Sequence, residues 1–197
     1  MKYSAGMVSQ LFWFNETRET VKYLNSGISK EDFLKKVVEE NIFQLKAEDR
    51  RKRACNCIYR RLDSLPDELT KRIDTMDTSS AKIVVLISIM KSDLLFFEFV
   101  YEVYRQKIIL GEKKIEDKDL NLFFDYKYEQ SDIVQKWSDS AIKKLKNCYV
   151  KMLCEAGLVN VNKKSREIVP ALINYRIEEQ LKEYDLDIYL KAVKGEQ

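Results

Sequence analysis

Apolar residues recur along this chain at helical rather than alternating intervals. Phe33, Leu34, Val37 and Val38 stand at i, i+1, i+4 and i+5, which predicts an amphipathic helix from Lys30 to about Asn41, capped by Ser29. Ahead of it, Asn15 or Thr17 is expected to cap a shorter helix that stops at Asn25-Ser26-Gly27. Ala54, Ile58, Leu62 and Leu65 share one face of a third helix, predicted over Ala47 to Ser64 and halted before Pro66. Asp67 to Met76 predicts another short one.

The texture then changes twice. From Ile83 to Leu110 apolar side chains crowd every face, which predicts buried core helices that begin after the polar caps of 77–80, break near Ser92-Asp93 and end at Gly111. A membrane span needs about 20 mostly apolar residues. This stretch cannot supply them, because Ser88 interrupts its longest run and Lys91, Asp93, Glu98, Glu102, Arg105 and Lys107 follow at helical intervals. After Gly111 comes a charged connector, then a helix capped by Asp117 and carrying Leu120, Phe123, Phe124 and Tyr128. A short helical piece at Ile133–Trp137 precedes a long helix from about Asp139 to Ala156, stopped by Gly157. Leu158–Val161 and Arg166–Val169, joined by Asn162–Ser165, predict a β-hairpin closed by Pro170. One amphipathic helix, Ala171 to Val193, is expected to end the chain, with Ile173, Ile177, Leu181, Tyr184, Ile188 and Leu190 on its apolar stripe. The predicted fold class is mainly α with one short hairpin. The division at Gly111 suggests a helical bundle over 1–111 and a second segment over 112–197, separate or continuous with it.

Composition narrows the chemistry. Only 5 Gly and 2 Pro in 197 residues suit long helices, and 45% hydrophobic residues suffice for a sizeable core. Histidine is absent. That removes the usual general base, the Ser-His and Cys-His nucleophile pairs and most zinc ligand sets, so neither catalysis, metal nor cofactor is expected. Cys55, Cys57, Cys148 and Cys154 form no C-x-x-C pair and read as reduced thiols in or near a core. Met1 to Gly6 has no apolar signal core, which argues for a cytoplasmic protein.

Net charge is only +3, but it is segregated. Segment 46–61 holds seven basic residues against two acidic ones, segment 136–166 eight against two, and segment 98–132 six against nine. In the first, Lys52, Arg53, Asn56 and Arg60 lie opposite the apolar face, with Arg50 one turn earlier. Arginine matches phosphate oxygens bidentately, so this face suits nucleic acid; a solvated face laced with salt bridges is the alternative. Arg51 falls inside the apolar sector and is expected to pair with a buried acid. In the second segment, Lys143, Lys144, Asn147 and Lys151 cluster opposite the core face of the long helix. Short helix, tight turn, long basic helix and basic-tipped hairpin form the order of a winged helix-turn-helix, with Lys163, Lys164 and Arg166 as the wing's phosphate contacts. Lysines dominate and only Asn147 suits bidentate base reading, so backbone-driven affinity with weak sequence preference is expected. Phe12, Trp13 and Phe14 could stack on bases. Phe96, Phe97, Phe99, Tyr101 and Tyr104 instead sit at core spacing, and Trp137 reads as a hydrophobic staple.

Several short motifs occur together: Tyr3-Ser4-Ala5-Gly6, Asn15-Glu16-Thr17, Glu39-Glu40-Asn41 with Phe43, Arg51-Lys52-Arg53, Lys91-Ser92-Asp93, Glu129-Gln130-Ser131, Trp137-Ser138-Asp139-Ser140 and Ala156-Gly157-Leu158. In their order they resemble the BrxA family of BREX bacteriophage-defence systems, over nearly the whole chain. The resemblance implies a helical core similar to the transcription antitermination protein NusB, binding to double-stranded DNA, a place beside other BREX proteins and no catalytic activity. Family members have carried an inner-membrane label, against which the charges of 83–110 argue. NusB-like proteins bind through an Arg-rich N-terminal region, which favours 50–60 and admits RNA as a ligand; the hairpin pattern favours 140–166. An adaptor that docks acidic partner proteins is the remaining alternative.

Overall fold

The computed structural model describes residues 2–162 and 165–196. A 3-10 turn at Gly6–Ser9 leads into α1 (Phe14–Asn25), α2 (Lys30–Glu39), α3 (Glu48–Leu62) and the single turn α4 (Asp67–Thr70). The apolar middle forms α5 (Thr78–Ser92), α6 (Leu94–Phe99), a π-helical turn at Val100–Tyr104 and α7 (Arg105–Ile109). Then come α8 (Asp117–Gln130), α9 (Asp132–Gln135), α10 (Asp139–Glu155), the hairpin β1 (Val159–Asn162) and β2 (Ser165–Ile168), α11 (Tyr175–Glu183) and α12 (Asp187–Lys194).

Helix α5 is the hub because no face of it tolerates water: every residue from Ile83 to Met90 is buried, Ser88 included. Around it pack α1, α3, α6, α10 and α12. It starts where Asp77 caps it, its carboxylate accepting from the Ser80 N–H at 2.9 Å. It stops at Asp93, whose extended backbone turns the chain and whose side chain caps α6 through the Phe96 N–H at 2.9 Å. That is the break expected near Ser92-Asp93. The aromatic run that follows is core: Phe96, Phe99 and Phe124 surround Tyr149 at centroid distances of 5.1, 5.2 and 5.7 Å. One cluster of buried apolar side chains extends from Met7 to Val193 and draws on both sides of Gly111.

The cap on α5 yields a pH prediction. Hydrogen bonds from the Ser80 backbone hold the Asp77 carboxyl below its ordinary range. A depressed carboxyl contributes stability above its unfolded pKa, about 3.9, and loses it as pH falls through the lower folded value. Asp77→Ala is therefore expected to cost about 1 kcal/mol at neutral pH, and its deficit relative to wild type to shrink below about pH 4. Urea unfolding at pH 7 and pH 3 checks this; an equal deficit at both would remove the ionised cap as the cause.

The expected hairpin forms, pairing Val159 with Ile168 and Asn162 with Ser165. Beside it the connector adds a short third edge: the Ile115 N–H donates to Arg166 O and the Ile168 N–H to Lys113 O, each at 2.9 Å. Lys163 and Lys164, expected in the wing, lie outside the described residues.

Local expectations fail in four places. Helix α1 is capped by neither Asn15 nor Thr17: Trp13 takes the left-handed conformation at φ 57°, and its carbonyl accepts from the Thr17 N–H and hydroxyl at 2.8 and 2.6 Å. That backbone is strained for a bulky residue, and burial of the indole offsets the strain. Helix α8 is capped by Glu116 in a reciprocal box with Asp119, not by Asp117. Asp67–Met76 is helical only to Thr70. The single final helix is two, split at Asp185 (φ 56°) so that Leu186 can turn inward, and Ile188 is left exposed. On one uninterrupted helix Leu181 and Leu190 would lie on opposite faces at 100° per residue, and the break lets both be buried.

Candidate nucleic-acid interface

Helix α3 carries Glu48 and Asp49 in its first turn and Arg60 and Arg61 in its last, the polarity that complements its dipole. Ala54, Cys55, Ile58 and Leu62 bury its inner face. Its outer face is less uniform than the sequence suggests. Lys52 is exposed but turned to Glu48 at 2.7 Å, away from the arginines. Arg50, Arg53, Asn56 and Arg60 line one groove of about 560 Å³ together with Gln10 and Trp13, and no carboxylate lines it. Arg50 lies 5.9 Å from the Trp13 ring centroid. The Arg53 Nε–H donates to the carbonyl of Asp49 at 3.2 Å, and Arg60 to Gln10 Oε1 at 3.0 Å. Among the described residues none of these three arginines has an ion-pair partner.

Arg51 and Arg61 play another part. Arg51 does not meet a buried acid; it donates to the carbonyls of Val38 and Leu45 at 2.6 and 2.8 Å, holding the loop between α2 and α3. Arg61 is the largest fully buried side chain and donates to the carbonyls of Leu11 and Phe12 at 2.8 and 3.2 Å. Burial lowers its pKa. Both arginines of α3 turn inward, and backbone carbonyls, invisible to a side-chain pattern, supplied the acceptors.

Helix α10 begins at Ser138, whose hydroxyl accepts from the Ala141 N–H. Leu145, Tyr149, Met152 and Leu153 are buried and Lys143, Lys144, Asn147 and Lys151 exposed, so the predicted face is the observed one. Two grooves flank it. On one side Lys143 and Asn147 share a groove of about 880 Å³ with Arg166 and with three acids, Asp117, Asp125 and Asp139. Arg166 is half-buried there and pairs with Asp117 at 2.7 Å. On the other side Lys144, Asn147 and Lys151 face Val8, Gln10 and Leu11 across a smaller groove of about 240 Å³. Lys151 is 3.6 Å from Glu155; Lys143 and Lys144 have no ion-pair partner among the described residues.

Val8, Gln10 and Leu11 line the α3 groove as well. The two basic segments, 46–61 and 136–166, far apart in sequence, thus border the same N-terminal strap from opposite sides. Gln10 is the joint. Its Oε1 accepts from Arg60, Arg61 at 3.4 Å and the Cys57 thiol at 3.3 Å, while the Cys148 thiol of α10 donates to Met7 O at 3.3 Å. No periodicity marks residues 4–13, so sequence reasoning missed this strap; only the Tyr3-Ser4-Ala5-Gly6 motif pointed near it. All four cysteines are free thiols, and burial pushes Cys148 to about 11, which keeps it protonated and structural. Among the described residues no cluster of His, Cys, Asp or Glu could hold a metal ion, and no helix is long and apolar enough to cross a membrane.

Comparison with known proteins agrees with the order of short motifs in the sequence. The BrxA family profile matches residues 1–185. A protein of Bacillus cereus described as "BREX protein BrxA" is 37% identical over 194 residues, 98% of this chain and 97% of the relative. Another of that description, from Paramagnetospirillum magneticum, is 21% identical over 165 residues, 84% of this chain and 83% of its own. A crystal structure of a protein from Magnetospirillum magneticum shares the fold, with a TM-score of 0.82 at 21% identity over 99% of this chain and 100% of the other. Near-complete coverage by the family profile, together with that 37% identity, shows that this chain belongs to the BrxA family.

Proposed function

We propose that this chain is a non-catalytic, cytoplasmic DNA-binding accessory protein of a BREX phage-defence system, gripping the phosphate backbone of double-stranded DNA. The observation that carries the reading is the meeting of the two exposed basic faces, α3 and α10, along the Val8–Leu11 strap. A single band of Arg50, Arg53, Arg60, Lys144 and Lys151 is the footprint that a polyanion requires. In this reading α9, α10 and the hairpin act as a winged helix, with Lys143 and Asn147 outermost on α10. The acids of the α8–α10 groove oppose a phosphate there, so the acid-free α3 groove anchors the backbone and α10 extends the path.

Contacts dominated by lysine and arginine give weak sequence preference. Neutralising roughly six phosphates predicts a log–log slope of affinity against salt near −5. A salt titration of duplex binding measures it; a flat response, or no binding at low salt, overturns the proposal. The NusB-like core that the family resemblance implies makes single-stranded RNA the competing ligand, and RNA that displaces duplex at equal concentration would transfer the site to RNA.

A further inference from the structure

We propose that the groove between α7 and α8 docks a basic amphipathic helix carried by another protein of the same defence system. The proposal rests on membership of a BREX system and not on DNA binding. The groove measures about 320 Å³ and is lined by Leu110, Leu122, Phe123 and Tyr126. Phe123 is part of the buried core, but Leu110, Leu122 and Tyr126 are 70%, 55% and 54% exposed. Three large apolar side chains standing in water around one groove contribute nothing to this chain's own core, and contiguous patches with a polar rim mark docking sites.

Charge chooses the occupant. Lys107 and Lys127 are buried, and each is shared by two carboxylates: Lys107 by Glu112 and Asp119, Lys127 by Glu98 and Glu102. Two carboxylates to one ammonium leave each triad one net negative charge. Glu102, Glu112 and Asp119 stand on the rim of the groove. An apolar floor with an acidic rim between two helices fits a third helix with i, i+4 anchors and flanking Lys or Arg. The π-helical turn at Val100–Tyr104 supplies Glu102 and Val103 to this groove, and such turns concentrate at functional positions.

The groove is also separate from the DNA face. At 100° per residue, Leu122, Phe123 and Tyr126 lie on one side of α8, whereas Asn121, Asp125 and Tyr128, which line the α8–α10 groove, lie on the other. A partner could sit here while the basic band is occupied.

The test uses the full chain, nuclease-treated, against each purified protein encoded beside it, with wild type, Leu122→Glu and Leu110→Glu compared by calorimetry. Both positions are exposed, so folding is retained, and thermal melting verifies it. One partner is expected to bind, to lose at least tenfold in affinity to either substitution, and to retain affinity for Arg53→Glu with Arg60→Glu. Cross-linking should place a Lys- or Arg-rich helix in the groove. No binding to any of them, binding indifferent to Leu122 and Leu110, or sensitivity confined to the arginine variant would overturn the proposal. So would self-association abolished by Leu122→Glu, which assigns the groove to a second copy. None of these results changes the salt slope of DNA binding, so the two readings fail separately.

Discussion

Replacing Arg53 and Arg60 together by glutamate is expected to weaken binding to duplex DNA by about two orders of magnitude near 0.1 M salt, and to flatten the salt slope by about two. The size follows from geometry. Both guanidinium groups line the acid-free groove and neither has an ion-pair partner among the described residues, so their charge is available to phosphate. Lys144→Glu with Lys151→Glu should also weaken binding, but less, because Lys151 already lies 3.6 Å from Glu155. Lys52→Glu is the control within the same helix: Lys52 is turned to Glu48 and outside the groove, so its loss should be small. Electrophoretic shift or fluorescence anisotropy across 50–200 mM salt, a range in which phosphate-bound complexes lose most affinity, reads all three. Equal effects from Lys52 and the arginine pair would mean that total charge matters and the groove does not. Indifference to both pairs would reduce the basic faces to solvated surface.

Arg61→Met is expected to destabilise the fold by about 3 kcal/mol. Methionine can fill the space of the aliphatic stem, but it leaves the buried carbonyl of Phe12 and the part-buried carbonyl of Leu11 without their donor. An orphaned buried acceptor costs roughly 1–3 kcal/mol, and the second, part-buried one adds to it. Relief from burying a charge works in the opposite direction, since burial already lowers the pKa of Arg61. The carbonyls win because the guanidinium's remaining contact to Gln10 at 3.4 Å is weak, and its acceptors are fixed by the course of the strap. The strap should therefore loosen. Amide exchange of residues 8–12 should accelerate more than that of α5, and DNA affinity should fall although no surface charge is removed. Urea unfolding and hydrogen exchange decide this; a variant as stable as wild type with an unchanged strap would show that the carbonyls are held by packing alone.

The sequence by itself determined what depends on spacing within one element. The core positions of α2, α3 and α10 follow from their i, i+3 and i+4 intervals, and the exposed positions of Lys143, Lys144, Asn147 and Lys151 follow from the same geometry. Ser29 caps where a hydroxyl precedes an apolar period, and the hairpin falls in the run that Gly157 and Pro170 bound. These are local properties, fixed by 100° per residue on a helix and two residues per repeat on a strand. Local charge spacing also separated Arg53 and Arg60 from the core.

Only the tertiary structure decided where those local faces meet. Arg51 and Arg61 carry the same side chain as Arg53, yet backbone carbonyls brought close by other segments turn both of them inward. A hydrophobic period contains no information about carbonyls that another segment brings near, 13 residues away for Arg51 and 50 for Arg61, so the sequence could assign Arg51 a partner only by guessing an acid. The final helix broke at Asp185 for a similar reason: the core closes around Leu186, and the break re-phases the chain so that Leu186 and Leu190 are buried and Ile188 is not. The joining of α3 and α10 along Val8–Leu11 is likewise a long-range fact, made by a segment with no periodicity and by hydrogen bonds from Arg60, Arg61, Cys57 and Cys148. Charge clusters were legible as two lists of residues. That they border one strap is decided by packing, because surface continuity is a property of the folded core beneath it.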